Sequence, residues 1–425
     1  MEKEGFYLKL ITLKNGFRIA LMPVSSAKTT AIYLYIGAGN AFEDEKTAGA
    51  SHFIEHLLFK GTSEFSDEAL ARKIDWLGGR FNAYTAKEYT CLYAHVLDES
   101  AAESLELIFK MVTDSVFPES AVKTERGVIL EEINMYDDSP EDLAMDAIVS
   151  GVFADSPLRF NILGTKQTVS DFKREELLGF AEKYYAPERM VLSVSGSFTE
   201  AEIIELSERY IGSKDFTDFP IDFPNIPQKN GGIFLKEKDF EQTQILISAP
   251  GATFGGDERY SATALSSIAG GNASSRLNLA IRERLGLVYS VGTFLLPFKN
   301  NGLFMLSAGL SHNNQLKVLE KALEEMEKLP ETLREEELAS VRQQLKISAV
   351  MSNERITSLA SGAGRDILYL GRYVEPEEML RKMNALTLDD VRAYLKQIWR
   401  REALSISVVG KPEKREKYEA FGFKA

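Results

Sequence analysis

Cysteine is almost missing from this 425-residue chain, which has only Cys91. A single thiol cannot form an internal disulfide, so no disulfide framework is expected and a reducing compartment suits the protein. In the run YTCLYAHVL it reads as a packed strand residue rather than a nucleophile. Long apolar runs are also absent, and none approaches the roughly 20 residues that cross a bilayer as a helix. The N-terminal MEKEGFYLKLITLKNG has no basic region followed by an apolar core, so no signal peptide and a cytoplasmic location are expected. Positive charge is in deficit: 50 Lys and Arg stand against 63 Asp and Glu, a net charge of −13. This balance argues against nucleic acid as a partner and would steer cationic substrates inward.

Histidine is scarce too, with four in the whole chain, and two of these fall in the stretch SHFIEHLL at 51–58. At about 100° per residue, His52, Glu55 and His56 share one side of a helix, whereas Ala50, Phe53, Ile54, Leu57 and Leu58 occupy the opposite side. One face is thus apolar and the other presents two imidazoles and a carboxylate. An i, i+4 histidine pair can simply lie on a solvated surface. Two metal ligands and a base facing a cleft need the same pattern.

Turn signals divide the surroundings of this stretch. Asn15-Gly16 precedes the strand-like FRIALMP, and TTAIYLYIGAG forms a second strand running into glycines. Gly61 is expected to end the histidine helix. Ser66 is a fitting N-cap for the next, which stops at Gly78-Gly79. RFNAYTA and YTCLYAHVL then read as an antiparallel hairpin, with His95 as a structural residue. In the predicted helix ESAVKTERGVILEEINMY, Glu125 and Glu132 are seven apart and share a face, while Glu131 turns towards solvent.

Pro220, Pro224, Pro227 and Gly231-Gly232 mark a linker at 213–232. The chain is long for one core, and beyond the linker its first half recurs. Ile32 and Ile245 begin matching strands, as do Cys91 and Phe304, and both pairs are 213 residues apart. MVLSVSG ending at Gly196 matches ALSISVVG ending at Gly410. The same offset carries His52, Glu55, His56 and Glu132 onto Leu265, Ile268, Ala269 and Leu345, so the second copy has lost the polar cluster. The expectation is an α+β fold of two homologous domains, 1–212 and 233–425, each a largely antiparallel sheet covered by helices. Gly270-Gly271 reads as a helix-entry turn, since no Lys-Ser/Thr follows to make a phosphate loop.

The order His52-Phe53-Ile54-Glu55-His56 inverts the commoner H-E-x-x-H. GASHFIEHLLFKGT followed by ERGVILEE resembles the insulinase/pitrilysin family of inverted-zincin metallopeptidases, most closely its mitochondrial-processing-peptidase-like branch, and the likeness spans nearly the whole chain. The resemblance implies a zinc endopeptidase with one ion per chain, held by His52, His56 and Glu132. Glu55 would be the general base and Glu125 a supporting carboxylate. LAIRERLGLVYSVG resembles the segment carrying a substrate-holding Arg and an oxyanion-stabilising Tyr, here Arg282 and Tyr289. Asn82 and Ala83 match the sheet-edge positions that receive an extended peptide. Family members enclose oligopeptides or unfolded segments in a chamber, and long single-chain members have four domains where two are expected here. A homodimer is therefore expected, with no membrane partner. The competing expectation is a non-catalytic binding or scaffold subunit of a heteromeric complex, but such relatives usually lack part of the metal motif.

Overall fold

The computed structural model describes residues 7–215, 217–229 and 231–424; the start of the N-terminal stretch read above and two positions of the linker lie outside them. The fold is α+β, and its strands form two sheets. The first contains β1 (Lys9–Thr12), β2 (Arg18–Pro23), β3 (Thr29–Ile36), β4 (Arg80–Thr85), β5 (Thr90–Leu97) and β6 (Met190–Gly196). Its order is β1-β2-β6-β3-β5-β4, with β2 and β6 parallel and the other neighbours antiparallel. The second contains β7 (Gly232–Glu237), β8 (Thr243–Pro250), β9 (Val288–Pro297), β10 (Gly302–Leu310) and β11 (Ser405–Gly410) in the order β7-β11-β8-β10-β9. Here β7 and β11 form the parallel pair.

The strands matched by the sequence repeat occupy equivalent places: β3 with β8, β5 with β10, and β6 with β11. Even the strand-ending glycines agree, Gly196 at φ +122° and Gly410 at φ +125°. At both, a side chain would be strained and would run into a neighbouring strand, at Thr29 or at Gln242 and Thr243.

The chain forms two compact units that depart from a linear division at the linker in two segments. Asn134–Arg159 belongs with the second unit and Val350–Val374 with the first. The reason is visible in strand chemistry. Ile32, Leu34 and Ile36 of β3 join one buried cluster, whereas Ala31 joins another on the opposite face with Met22, Leu359, Ala360 and Ala363. Both faces of the first sheet are covered, which is why TTAIYLYI reads as a nearly continuous apolar run instead of an alternating one. The cover on the second face is the helix Ile356–Leu370, supplied by the C-terminal half of the chain. Reciprocally, a helix of the N-terminal half, Pro140–Val152, packs on β7, β8 and β11.

The helices nearest the polar cluster are α1 (Ala50–Leu57), α2 (Asp67–Leu77), α3 (Ala101–Thr113) and α4 (Glu119–Asp137). Ser66 caps α2 by accepting from Ala69 N, and Gly78 and Gly79 follow its end with positive φ. Two expectations need correction. Helix α1 stops at Leu57, and Gly61, at φ +120°, closes the turn beyond it. Gly270 and Gly271 stand at the exit of the helix Arg259–Gly270, where Gly270 lies against the backbone of Thr293.

Close packing of the covering helix on the first sheet gives a paired test. A Cβ at Gly364 would lie 2.5 Å from the buried Tyr35 ring, whereas one at Gly362 meets nothing within 4 Å. Gly362→Ala is expected to raise the urea midpoint, by up to about 1 kcal/mol of stability from helix propensity. Gly364→Ala is expected to lower it, by about 1–3 kcal/mol from overpacking.

Candidate metal centre

An isolated helix of α1's length would not persist in water, because it has too few hydrogen bonds to offset its nucleation cost. Packing holds it: Ala50, Phe53, Ile54, Leu57 and Leu58 are all buried in the first unit's core, as the helix wheel predicts. Each large side chain among them contributes about 1.5–3 kcal/mol by leaving water. Burying that face turns the other, with His52, Glu55 and His56, away from the core.

Helix α4 brings the third group. Glu132 Oε2 lies 3.7 Å from His52 Nε2 and 3.6 Å from His56 Nε2. Among the described residues, the group able to hold a metal ion is His52, His56 and Glu132, with one ligand atom of each within 4.8 Å of the others. The two Nε2–Oε2 distances are too long for hydrogen bonds. They approach the roughly 3.3 Å separating donors that sit about 2.0–2.1 Å from a tetrahedral zinc ion. The arrangement of the donor set therefore fits zinc.

The protonation states fit as well. Burial, aided by the neighbouring His56, lowers the pKa of His52 to about 3, so its imidazole is neutral at pH 7 with a lone pair free to coordinate. His56 Nδ1 lies 2.9 Å from Glu125 Oε2. A carboxylate can only accept there, so Nδ1 carries a proton and Nε2, facing Glu132, is the nitrogen that can coordinate. Glu125 is itself buried and pairs through Oε1 with Lys60 Nζ at 2.9 Å. The chain Lys60–Glu125–His56 thus fixes one ring by charge-assisted hydrogen bonds. His52 Nδ1 is buried without a hydrogen-bond partner among the described residues, so packing orients that ring.

Glu55 occupies the same face, and Thr85 Oγ1, at the end of β4, donates to its Oε2 at 2.5 Å. Its pKa is raised, first by burial and also by the negative charge of Glu132, against the Thr85 hydrogen bond and His56. A carboxylate restrained this way is more basic than a free one, the direction a general base needs. Glu131, as expected, is exposed.

The sheet edge lies beside this cluster. β4 is the outer strand next to β5, and it carries Asn82 and Ala83, paired with Tyr93 and Leu92. Asn82 is exposed, and its Oδ1 accepts from Ala83 N at 2.9 Å. Arg282 and Tyr289 belong to the second unit. Arg282 is exposed in the π-helical segment Asn278–Glu283. Tyr289, on β9, is 76% exposed and so does not serve as a packing residue.

Three polar neighbours have no motif of their own in the sequence: Thr85, Lys60 and Glu43. Glu43 is buried and accepts from the backbone N–H groups of Gly49 and Ser51, each at 2.8 Å. Burial pushes its pKa up to about 7, against the pull of those N–H groups and of Lys87.

The role of the Lys60–Glu125–His56 chain can be checked by titrating apo protein with zinc against a chelator. Glu125→Gln is expected to weaken zinc binding by about 10- to 100-fold, the usual cost of losing a partner that orients a metal-binding histidine. It should leave the helical content unchanged by circular dichroism.

Comparison with known proteins agrees with the geometry. The family profile "Insulinase (Peptidase family M16)" matches residues 18–166, and "Peptidase M16 inactive domain" matches residues 171–345. An uncharacterized zinc protease of Bacillus subtilis is 32% identical over 92% of this chain and 96% of its own length. One from Rickettsia felis is 34% identical over 92% and 94%. Among solved structures, a protease from Helicobacter pylori has a TM-score of 0.89 at 18% identity, covering 96% of this chain and 100% of that one. A peptidase M16 inactive domain from Pseudomonas fluorescens has a TM-score of 0.88 at 17% identity, over 96% and 98%. With both halves matched by the family's two profiles and relatives above 30% identity along nearly its full length, this chain belongs to the insulinase family of peptidases, M16.

Proposed function

We propose that the protein is a zinc endopeptidase that hydrolyses oligopeptides or unfolded polypeptide segments, with one zinc ion held by His52, His56 and Glu132. The observation that carries this reading is the convergence of two imidazole nitrogens and one carboxylate oxygen beside a second, restrained carboxylate. Zinc at such a site acts as a Lewis acid and lowers the pKa of water.

The chain's own residues do the rest. Glu55 takes a proton from the attacking water and delivers it to the leaving amine. Thr85 keeps the Glu55 carboxylate aimed into the cluster, and Glu125 keeps His56 Nε2 facing inward. The open edge of β4 receives the substrate as an added strand, at Asn82 and Ala83. The Ala83 N–H, covered by Asn82 in the free protein, passes to a substrate carbonyl. Tyr289 donates to the oxyanion that develops on the scissile carbonyl, and Arg282 holds substrate.

The proposed assembly is a homodimer in the cytoplasm, with the second copy completing the chamber and supplying Arg282 and Tyr289 to the zinc site. The exposure of Tyr289 and the single buried thiol support that reading. Among the described residues no helix is long and apolar enough to cross a membrane.

Purified protein is expected to contain about one zinc per chain and to cleave unstructured peptides, with a chelator stopping turnover. Glu55→Gln should keep the metal and lower kcat by at least about 10²-fold; cleavage at the wild-type rate would sink the mechanism. Tyr289→Phe should lower kcat by about 10²-fold or more, the scale of losing one oxyanion donor. Mixing Glu55→Gln with Tyr289→Phe protein should restore activity that neither has alone. A mixture as inactive as its parts would remove the partner-supplied Tyr289.

A further inference from the structure

We propose that Glu43 is a positioning residue of the metal centre, holding the N-terminal turn of α1 and through it the aim of the His52 and His56 rings; this rests on the zinc reading given above.

The first amides of any helix have no partner within the helix. In α1 the residue at the N-cap is Gly49, which has no side chain to supply an acceptor. Its N–H donates to Glu43 Oε2, and the N–H of Ser51 donates to Glu43 Oε1, both at 2.8 Å. Ala50 N donates to Thr47 O at 2.9 Å. One carboxylate, seven residues upstream of Ala50, therefore takes over the capping of the helix and satisfies two of its amides at once.

The same segment is tied down on another side. Thr168 Oγ1 donates to Ala48 O at 2.7 Å, and Gly49, at φ +95°, lies against the backbone of Gly164. The turn that leads into α1 is thus fixed at Ala48, Gly49 and Ser51, directly before His52.

The geometry makes this turn a lever. The histidine nitrogens lie roughly 6 Å from the helix axis, so rotating α1 by about 10° moves both by about 1 Å. Metal–ligand distances tolerate about 0.2 Å. The buried apolar face limits tilt, and the two directional hydrogen bonds to Glu43 add a restraint on rotation at the N-terminal turn. A carboxylate is suited to this task because both of its oxygens accept. An amide would turn its NH₂ towards one of the two N–H groups.

A cap that merely stabilises the fold would affect melting alone, so the test reads the metal. Wild type, Glu43→Gln and Glu43→Asp are prepared as apo protein and titrated with zinc alone against a competing chelator at pH 8, where the carboxylate is ionised. Cobalt is then substituted to record the ligand-field spectrum, and melting temperatures are taken on the same samples. Glu43→Gln is expected to raise the zinc dissociation constant by about 10-fold or more and to shift the cobalt bands, with Glu43→Asp intermediate. Wild-type zinc affinity together with a wild-type cobalt spectrum in Glu43→Gln overturns the proposal, whatever happens to its melting temperature. Where Glu43→Gln is not recovered folded, the same result for Glu43→Asp, whose charge is retracted by one methylene, overturns it. Failure of the wild type to bind zinc overturns the metal-centre reading and this proposal with it.

Discussion

The structure depends on holding still a helix that is too short to hold itself. α1 has eight residues, and three of them, His52, Glu55 and His56, make up most of the polar cluster. Its persistence comes from outside: an apolar face driven into the core, a carboxylate capping its first amides, and a glycine-lined turn pressed on its entry. The helices and strands around it are arranged accordingly. α4 contributes Glu125 and Glu132 from one face, and the end of β4 contributes Thr85. The cluster is an assembly of contributions from three elements.

Much of this was legible in the sequence, and for identifiable reasons. The spacing of His52 and His56 and the apolar residues between them specify a helix with one wet and one dry face, whatever surrounds it. The seven-residue interval between Glu125 and Glu132 placed both on one side of α4, although spacing could not choose Glu132 among 63 acidic residues; the family resemblance did. The repeat was legible because strands buried on both faces keep long apolar runs that align with one another.

The rest could not be read, because it is set by tertiary contacts without periodicity. Lys60 and Thr85 act through single hydrogen bonds across 65 and 30 residues of chain, and no local pattern encodes such a pairing. Glu43 opens the acidic run Glu43-Asp44-Glu45, which in sequence is simply charge ahead of a helix. Its specific role depends on burial, which composition does not reveal. The exit position of Gly270 and Gly271 is not encoded locally, because a pair of small residues serves equally at either end of a helix. The placement of Pro140–Val152 and Ile356–Leu370 on each other's sheets was hidden for a further reason: amphipathic faces state that a helix must cover something, but not what.

That exchange bears on the history of the chain. A duplicated copy without metal ligands would ordinarily be open to loss, and here Leu265, Ile268, Ala269 and Leu345 stand at the sequence offset where the first copy keeps its polar groups. Yet deleting the second copy would strip Met22, Ala31 and their neighbours of the helix that shields them from water. Each half became part of the other's interior, so burial ties the second half to the first apart from anything it contributes to chemistry.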